Sequence, residues 1–156
     1  MSTVRATIDI DATPQEVWDV VMDPHRFGDW VTIHRKLCHT DDGRLRQGFH
    51  VEQRLALRGA PLTVHWTLTE LDGCRLGTWE GKGPAGSYAR VTNRLSELDG
   101  NGTRFEYENE FEAPGGVMGR VASRVLVGHT PEREADRSLK RLKALVEKGA
   151  ERPSAN

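Results

Sequence analysis

Polar side chains standing in otherwise apolar rows are the first candidates for chemistry in this sequence. Gln53 interrupts the alternate series Phe49, Val51, Leu55 and Leu57; Asn93 interrupts Ala89, Val91 and Leu95; Tyr107 and Asn109 stand between Phe105 and Phe111. Alternation puts each series on one face of a strand. A buried polar group without a partner costs about 1–3 kcal/mol. Each must therefore be met by a neighbouring side chain, backbone, water or a bound molecule. For any one residue a protein partner is a sufficient reading; a set converging on one concave surface points to a pocket. Within it the carboxamides and Phe105 are expected to contact a ligand, and the Tyr107 phenol to shuttle protons.

Trp66 shares its row with Val64 and Leu68 and is expected to point inward. Trp79 lies between Gly77 and Gly81, while Leu76 and Thr78 suggest the opposite phase, so its direction stays open. Flanking glycines would leave room beside its indole for a flat ligand; plain core is the other reading of both tryptophans. Glu80 is the carboxylate that could join them. Turned inward, it would have its pKa raised by desolvation and become a candidate acid or base; turned outward, it is a surface glutamate.

Other candidates carry less. Among six histidines, His34 and Cys38 could share a strand face with His39 opposite, but nothing completes a metal-ligand set, and neither metal nor cofactor is expected. Residues 81–87, GKGPAGS, resemble a phosphate cradle but lack the order G-x-x-x-x-G-K-[ST] and precede a strand, so they form a hairpin loop. The row Glu106, Glu108, Glu110 and Glu112 is expected to face solvent and discourage edge pairing, a docking face for a basic partner being the alternative.

The elements that must position these residues are legible in the spacing. Val4, Ala6, Ile8 and Ile10 alternate with polar residues as in a half-buried strand. Thr13-Pro14-Gln15-Glu16 reads as a helix start, with Val17, Trp18, Val20 and Val21 on its apolar side. Pro24 should end that helix, and Asp23-Pro24 should cap a second short one whose Phe27 and Trp30 face one way. From residue 32 to 112, turn chemistry recurs at Asp41-Asp42-Gly43, Gly59-Ala60-Pro61, Leu71-Asp72-Gly73, Gly83-Pro84-Ala85-Gly86 and Asp99-Gly100-Asn101-Gly102, marking about six antiparallel strands. A helical stripe then runs through Val117, Val121, Val125, Ala135, Leu139, Leu142 and Val146, with a break expected between Gly128 and Pro131.

The predicted fold class is α+β: a curved seven-stranded antiparallel sheet around a long C-terminal helix, with two short helices after the first strand. The long helix is the element large enough to cover the sheet's apolar face. The tandem helices would close one end of the groove, bringing Trp30 to a cavity.

The totals set bounds. A chain of 156 residues, 37% hydrophobic and 29% charged, is read as one domain over residues 1–150, with a loose tail at 151–156. A net charge of -1 gives no global attraction to nucleic acid. The N-terminus lacks a signal-peptide pattern, no window is apolar enough to cross a bilayer, and Cys38 and Cys74 read as reduced thiols, so a cytoplasmic protein is expected. Its assembly is expected to be a monomer or a homodimer.

The first strand, the stretch A-T-P-x-x-V-W-x-V-V-x-D-P-x-x-F-x-x-W at 12–30, G-T-R-F-x-Y at 102–107, the Pro-Gly-Gly before the last helix and S-L-K-R-L-K-A-L-V-E at 138–147 together resemble the polyketide cyclase/dehydrase group of the START-like, helix-grip superfamily. The resemblance covers nearly the whole chain. It implies a helix-grip fold with a central cavity for a hydrophobic or aromatic molecule such as a polyketide, lipid or quinone. It identifies no catalytic motif. Three functions are weighed: a small-molecule binder; a cyclase, aromatase or dehydratase using Tyr107 and Glu80; and a non-enzymatic interaction or stress module.

Overall fold

The structure is a computed structural model and describes residues 2–57, 59–112 and 131–151. In chain order its elements are β1 (Ser2–Ile10), α1 (Pro14–Val21), a 3₁₀ turn (Pro24–Arg26), α2 (Phe27–Trp30), β2 (His34–Thr40), β3 (His50–Leu57), β4 (Ala60–Asp72), β5 (Leu76–Lys82), a 3₁₀ turn (Pro84–Gly86), β6 (Tyr88–Glu97), β7 (Thr103–Glu112) and α3 (Pro131–Glu151). The strands form one antiparallel sheet in the order β1-β7-β6-β5-β4-β3-β2. This is the helix-grip architecture the sequence implied.

β1 and β2 follow each other in sequence yet lie on opposite edges of the sheet. The tandem helices carry the chain from one edge to the other, which explains their brevity and their interruption. Thr13 Oγ1 accepts a hydrogen bond from Glu16 N at 3.3 Å, and Asp23 Oδ1 accepts from His25 N at 3.0 Å. Each side chain satisfies a first-turn donor that the helix itself leaves free. Val17, Trp18, Val20 and Val21 of α1 are buried. The connections after β2, β4, β5 and β6 fall at the turn-forming clusters, whereas Ala60 and Pro61 of the expected second turn belong to β4; in the last connection, Gly100 (φ +81°) and Asn101 (φ +70°) take left-handed conformations that these two residue types adopt at least cost.

The long helix presents Ala135, Leu139, Leu142 and Val146 to the core. It packs against β1 and both short helices. Polar ties hold its two ends. Lys143 Nζ donates to the Asp9 carbonyl at 2.9 Å, and Glu147 accepts from Asp11 N at 3.2 Å. Ser138 Oγ accepts from Thr32 N at 3.1 Å, while Thr32 Oγ1 donates to Glu134. The helix is thus fastened to the segments just before α1 and just after α2. It runs through Glu151, one residue past the expected domain limit. The expected stripe Val117, Val121 and Val125 and the site around Gly128 lie outside the described residues. No helix among the described residues is long and apolar enough to cross a membrane.

Candidate functional site

The concave face of the sheet, α2 with its following loop, and the first turns of α3 border a partly open cavity of about 570 Å³. That size suits a small organic ligand. Its walls are mainly apolar, formed by residues such as Val4, Val21, Leu55, Leu62, Val64 and Val91. Gln53, Trp66, Trp79, Asn93, Tyr107, Asn109 and Trp30 all line it. Phe105 does not. It is fully buried beneath Trp30, in edge contact with centroids 6.3 Å apart, and supports that ring from below.

Trp79 points inward, buried in edge contact with Phe49. The expected space beside its indole is already filled. A Cβ at Gly77 would lie 2.5 Å from Met22 Cε, and one at Gly81 would lie 2.6 Å from the Trp66 ring and 2.7 Å from Val64 Cγ1. The glycines make room for protein side chains rather than for a flat guest. Alternation then sends Glu80 to the convex face, where its carboxylate accepts a hydrogen bond from Tyr88 Oη at 3.1 Å. Glu80 therefore stands away from the cavity, a correction to the acid–base pair expected with Tyr107.

The three amides differ in how they are satisfied. Trp66 Nε1 donates to Gln53 Oε1 at 3.0 Å, and Gln53 Nε2 lies 2.8 Å from His34 Nδ1. An indole N–H can only donate, so it fixes the amide orientation, and the amide nitrogen then requires Nδ1 to accept. His34 is consequently neutral with its proton on Nε2, and burial, with Arg35 nearby, lowers its pKa. Gln53 is a bonded core amide. Sequence reasoning missed His34 as its partner, because the pairing depends on the irregular β2–β3 register.

Asn93 and Asn109 are different. Asn93 Nδ2 faces the weak acceptor Met22 Sδ at 3.7 Å, leaving Oδ1 buried without a partner. Asn109 donates to the Tyr107 phenol, and its own Oδ1 is likewise buried and unpaired. Trp30 Nε1 shares that condition. Burial pushes the Tyr107 pKa up to about 12, against the opposing effect of the Asn109 bond. The phenol therefore stays protonated at neutral pH.

At one margin of the cavity lie Thr32, Arg35, Glu134, Arg137, Ser138 and Arg141. The sequence reading passed over these. Ser138 carried the available signal: a polar residue on the apolar stripe of a helix, the same irregularity that exposed Asn93 in a strand. On the convex face His39, His50 and His65 lie side by side across β2, β3 and β4, with adjacent ring centroids 6.3 and 6.0 Å apart. Among the described residues no group of three or more His, Cys, Asp or Glu side chains is arranged to hold a metal ion.

Comparison with known proteins agrees with this architecture. Residues 1–147 match the family described as polyketide cyclase/dehydrase and lipid transport. An uncharacterised protein of Mycobacterium tuberculosis is 26% identical over 148 residues, covering 93% of this chain and 99% of its own. A second protein of that organism, named as a toxin, is 23% identical over 128 residues, covering 81% and 88%. The crystal structure of the ZhuI aromatase/cyclase from Streptomyces sp. R1128 superposes with a TM-score of 0.77 at 17% identity, over 99% of both chains.

Proposed function

The chain belongs to the polyketide cyclase/dehydrase and lipid transport family, and we propose that it binds an apolar or aromatic small molecule in its central cavity. The observation that carries this reading is a largely apolar space of about 570 Å³ bordered by residues whose buried polar atoms have no protein partner. An apolar guest gains by leaving water, while a few polar contacts fix its orientation. The free thiols of Cys38 and Cys74 support a reducing, cytoplasmic setting.

Thermal unfolding with a panel of flat apolar compounds tests the proposal. A ligand at a hundred times its Kd adds about 2.7 kcal/mol, which raises the Tm of a domain this size by roughly 5–10 °C. A panel that leaves Tm unmoved, together with native mass spectra of fresh protein showing no co-purified compound, overturns it.

A second reading is a cyclase, aromatase or dehydratase using the same space. Tyr107 supports it, as a protonated phenol at the cavity wall able to donate to a substrate carbonyl while the walls hold a poly-carbonyl chain folded. Glu80 supplies no base to it. With Tyr107 protonated and the Glu134 carboxylate at the cavity margin already accepting from Thr32, binding ranks first. Product formation from a poly-carbonyl substrate, lost in Tyr107→Phe, would reverse the ranking.

A further inference from the structure

The charged side chains that border the cavity, among the described residues, are Arg35, Glu112, Glu134, Arg137 and Arg141. All three arginines are exposed to solvent while lining the space, so they stand where it meets water. Their placement follows from local structure. Arg137 and Arg141 lie one turn apart on α3 and project from the same side of the helix. Glu134 and Ser138, one turn apart beside them, bond to Thr32 in the loop after α2. Arg35 comes from the other wall: its Nη1 donates to the Thr32 carbonyl at 3.4 Å and to the His34 carbonyl at 3.0 Å. Thr32 is thus the joint at which one arginine of β2 and two of α3 reach a single rim.

The charges at this rim are unevenly satisfied. Glu134 accepts from Thr32 Oγ1 and lies 3.4 Å from Arg137 Nη1, and Glu112 is engaged as well. No carboxylate among the described residues pairs with Arg35 or Arg141. A guanidinium carries five N–H donors and no acceptor, in a planar fork that matches carboxylate and phosphate oxygens. An anion buried deep in an apolar space would pay heavily for its lost hydration. Seated at the rim, it keeps part of that hydration and gains charge-assisted hydrogen bonds.

We infer that the cavity takes amphiphilic acids, a reading that rests on the binding role proposed above. The apolar body of the guest lies inside, against walls such as Val64 and Val91, and its carboxylate or phosphate head sits at the rim between Arg35 on one side and Arg137 and Arg141 on the other. These three arginines then determine specificity for the head group, while the walls select the body.

The order of head groups is diagnostic. An apolar cavity with an indifferent rim ranks a neutral alcohol above an acid, because the acid loses more hydration on entry. A cationic rim reverses that order and places an ammonium last. Calorimetric titration of the whole chain at neutral pH compares four guests built on naphthalene: 2-naphthoate, 2-naphthyl phosphate, 2-naphthalenemethanol and 2-naphthylmethylammonium. At least one anion is expected to bind about tenfold more tightly than the alcohol, and whichever anion leads identifies the head group. Raising salt from about 0.05 M to about 0.5 M should shrink this advantage and leave the alcohol nearly unchanged. Arg141→Gln, which breaks no ion pair in the described structure, should lose part of the advantage, and Arg137→Gln/Arg141→Gln most of it, with affinity for the alcohol kept. Arg133→Gln/Lys140→Gln removes the same charge from the same helix but away from the cavity lining, and should keep the advantage. Anions that bind no more tightly than the alcohol overturn the inference and leave the binding role intact. An equal loss in both double variants also overturns it, by assigning the effect to net charge. If none of the four guests binds, the binding role fails and the inference with it.

Discussion

Asn93 and Tyr107 face each other across the β6–β7 ladder, the amide with an orphaned oxygen and the phenol held by Asn109. A pair in this state stabilises the empty protein less than an apolar pair would.

Asn93→Leu should therefore stabilise the empty protein. Removing a buried unpaired oxygen relieves about 1–3 kcal/mol, offset in part because the weak hydrogen bond from Asn93 Nδ2 to Met22 Sδ goes with it. A net gain of about 1 kcal/mol corresponds to a Tm higher by roughly 2–4 °C. Calorimetry of the ligand-free variant checks this, and a lower Tm would mean that ordered water already satisfies the oxygen.

Gly81→Ala and Gly77→Ala should differ. At Gly81 the added methyl meets the Trp66 ring and Val64, both anchored in the sheet, and overpacking of this kind costs about 1–3 kcal/mol. At Gly77 its nearest neighbour is the flexible end of Met22, which can turn aside, with the Trp18 ring at 3.3 Å. Urea unfolding should show a clearly lower midpoint for Gly81→Ala than for Gly77→Ala, with the slope unchanged.

Acid sensitivity should trace to His34. Its folded pKa lies below the ordinary 6.5, so the unfolded chain binds the proton first. Stability is lost as pH falls through the unfolded value toward the folded one. Protonation would also turn the Nδ1 acceptor into a donor facing the Gln53 amide. His34→Asn keeps an acceptor and removes the titration, so its Tm should fall less than that of the parent protein between pH 7 and pH 5. Parallel curves would remove His34 as its source.

Alkaline behaviour should trace to Tyr107. Its folded pKa of about 12 exceeds the ordinary 10.0, so stability is fully present below pH 10 and is lost as pH rises toward 12. Tyr107→Phe should flatten this branch of the Tm–pH profile relative to the parent. Ligand affinity that depends on the phenol should stay constant from pH 6 to 9; an inflection near neutrality would show a tyrosine unlike the one in this structure.

Several elements were readable because their causes are local. Thr13 and Asp23 cap through bonds spanning three residues and two, and the turn clusters bend the chain through their own backbone preferences. Period-two rows placed Gln53, Asn93, Tyr107 and Asn109 on one side of their strands, and all four border the cavity. The family resemblance rested on the same locally encoded stretches.

The contents of the cavity wall were a different matter. A row shows which residues share a face but not what stands across the sheet. Thus Gln53 and Asn93 look alike in sequence, yet one is bonded at both ends and the other has a bare oxygen, because register and bulges bring His34 and Trp66 to the first and only Met22 to the second. Gly77 and Gly81 suggested open space that side chains from α1 and β4 fill.

By itself the sequence determined the order of strands and helices, the turns between them and the side of the sheet on which the polar residues fall. Those follow from periodicity and backbone preference within a few residues. Only the tertiary structure decided which of those residues are satisfied and where empty space remains, because hydrogen-bond partners and cavities arise between elements distant in the chain, where register and packing choose the neighbours.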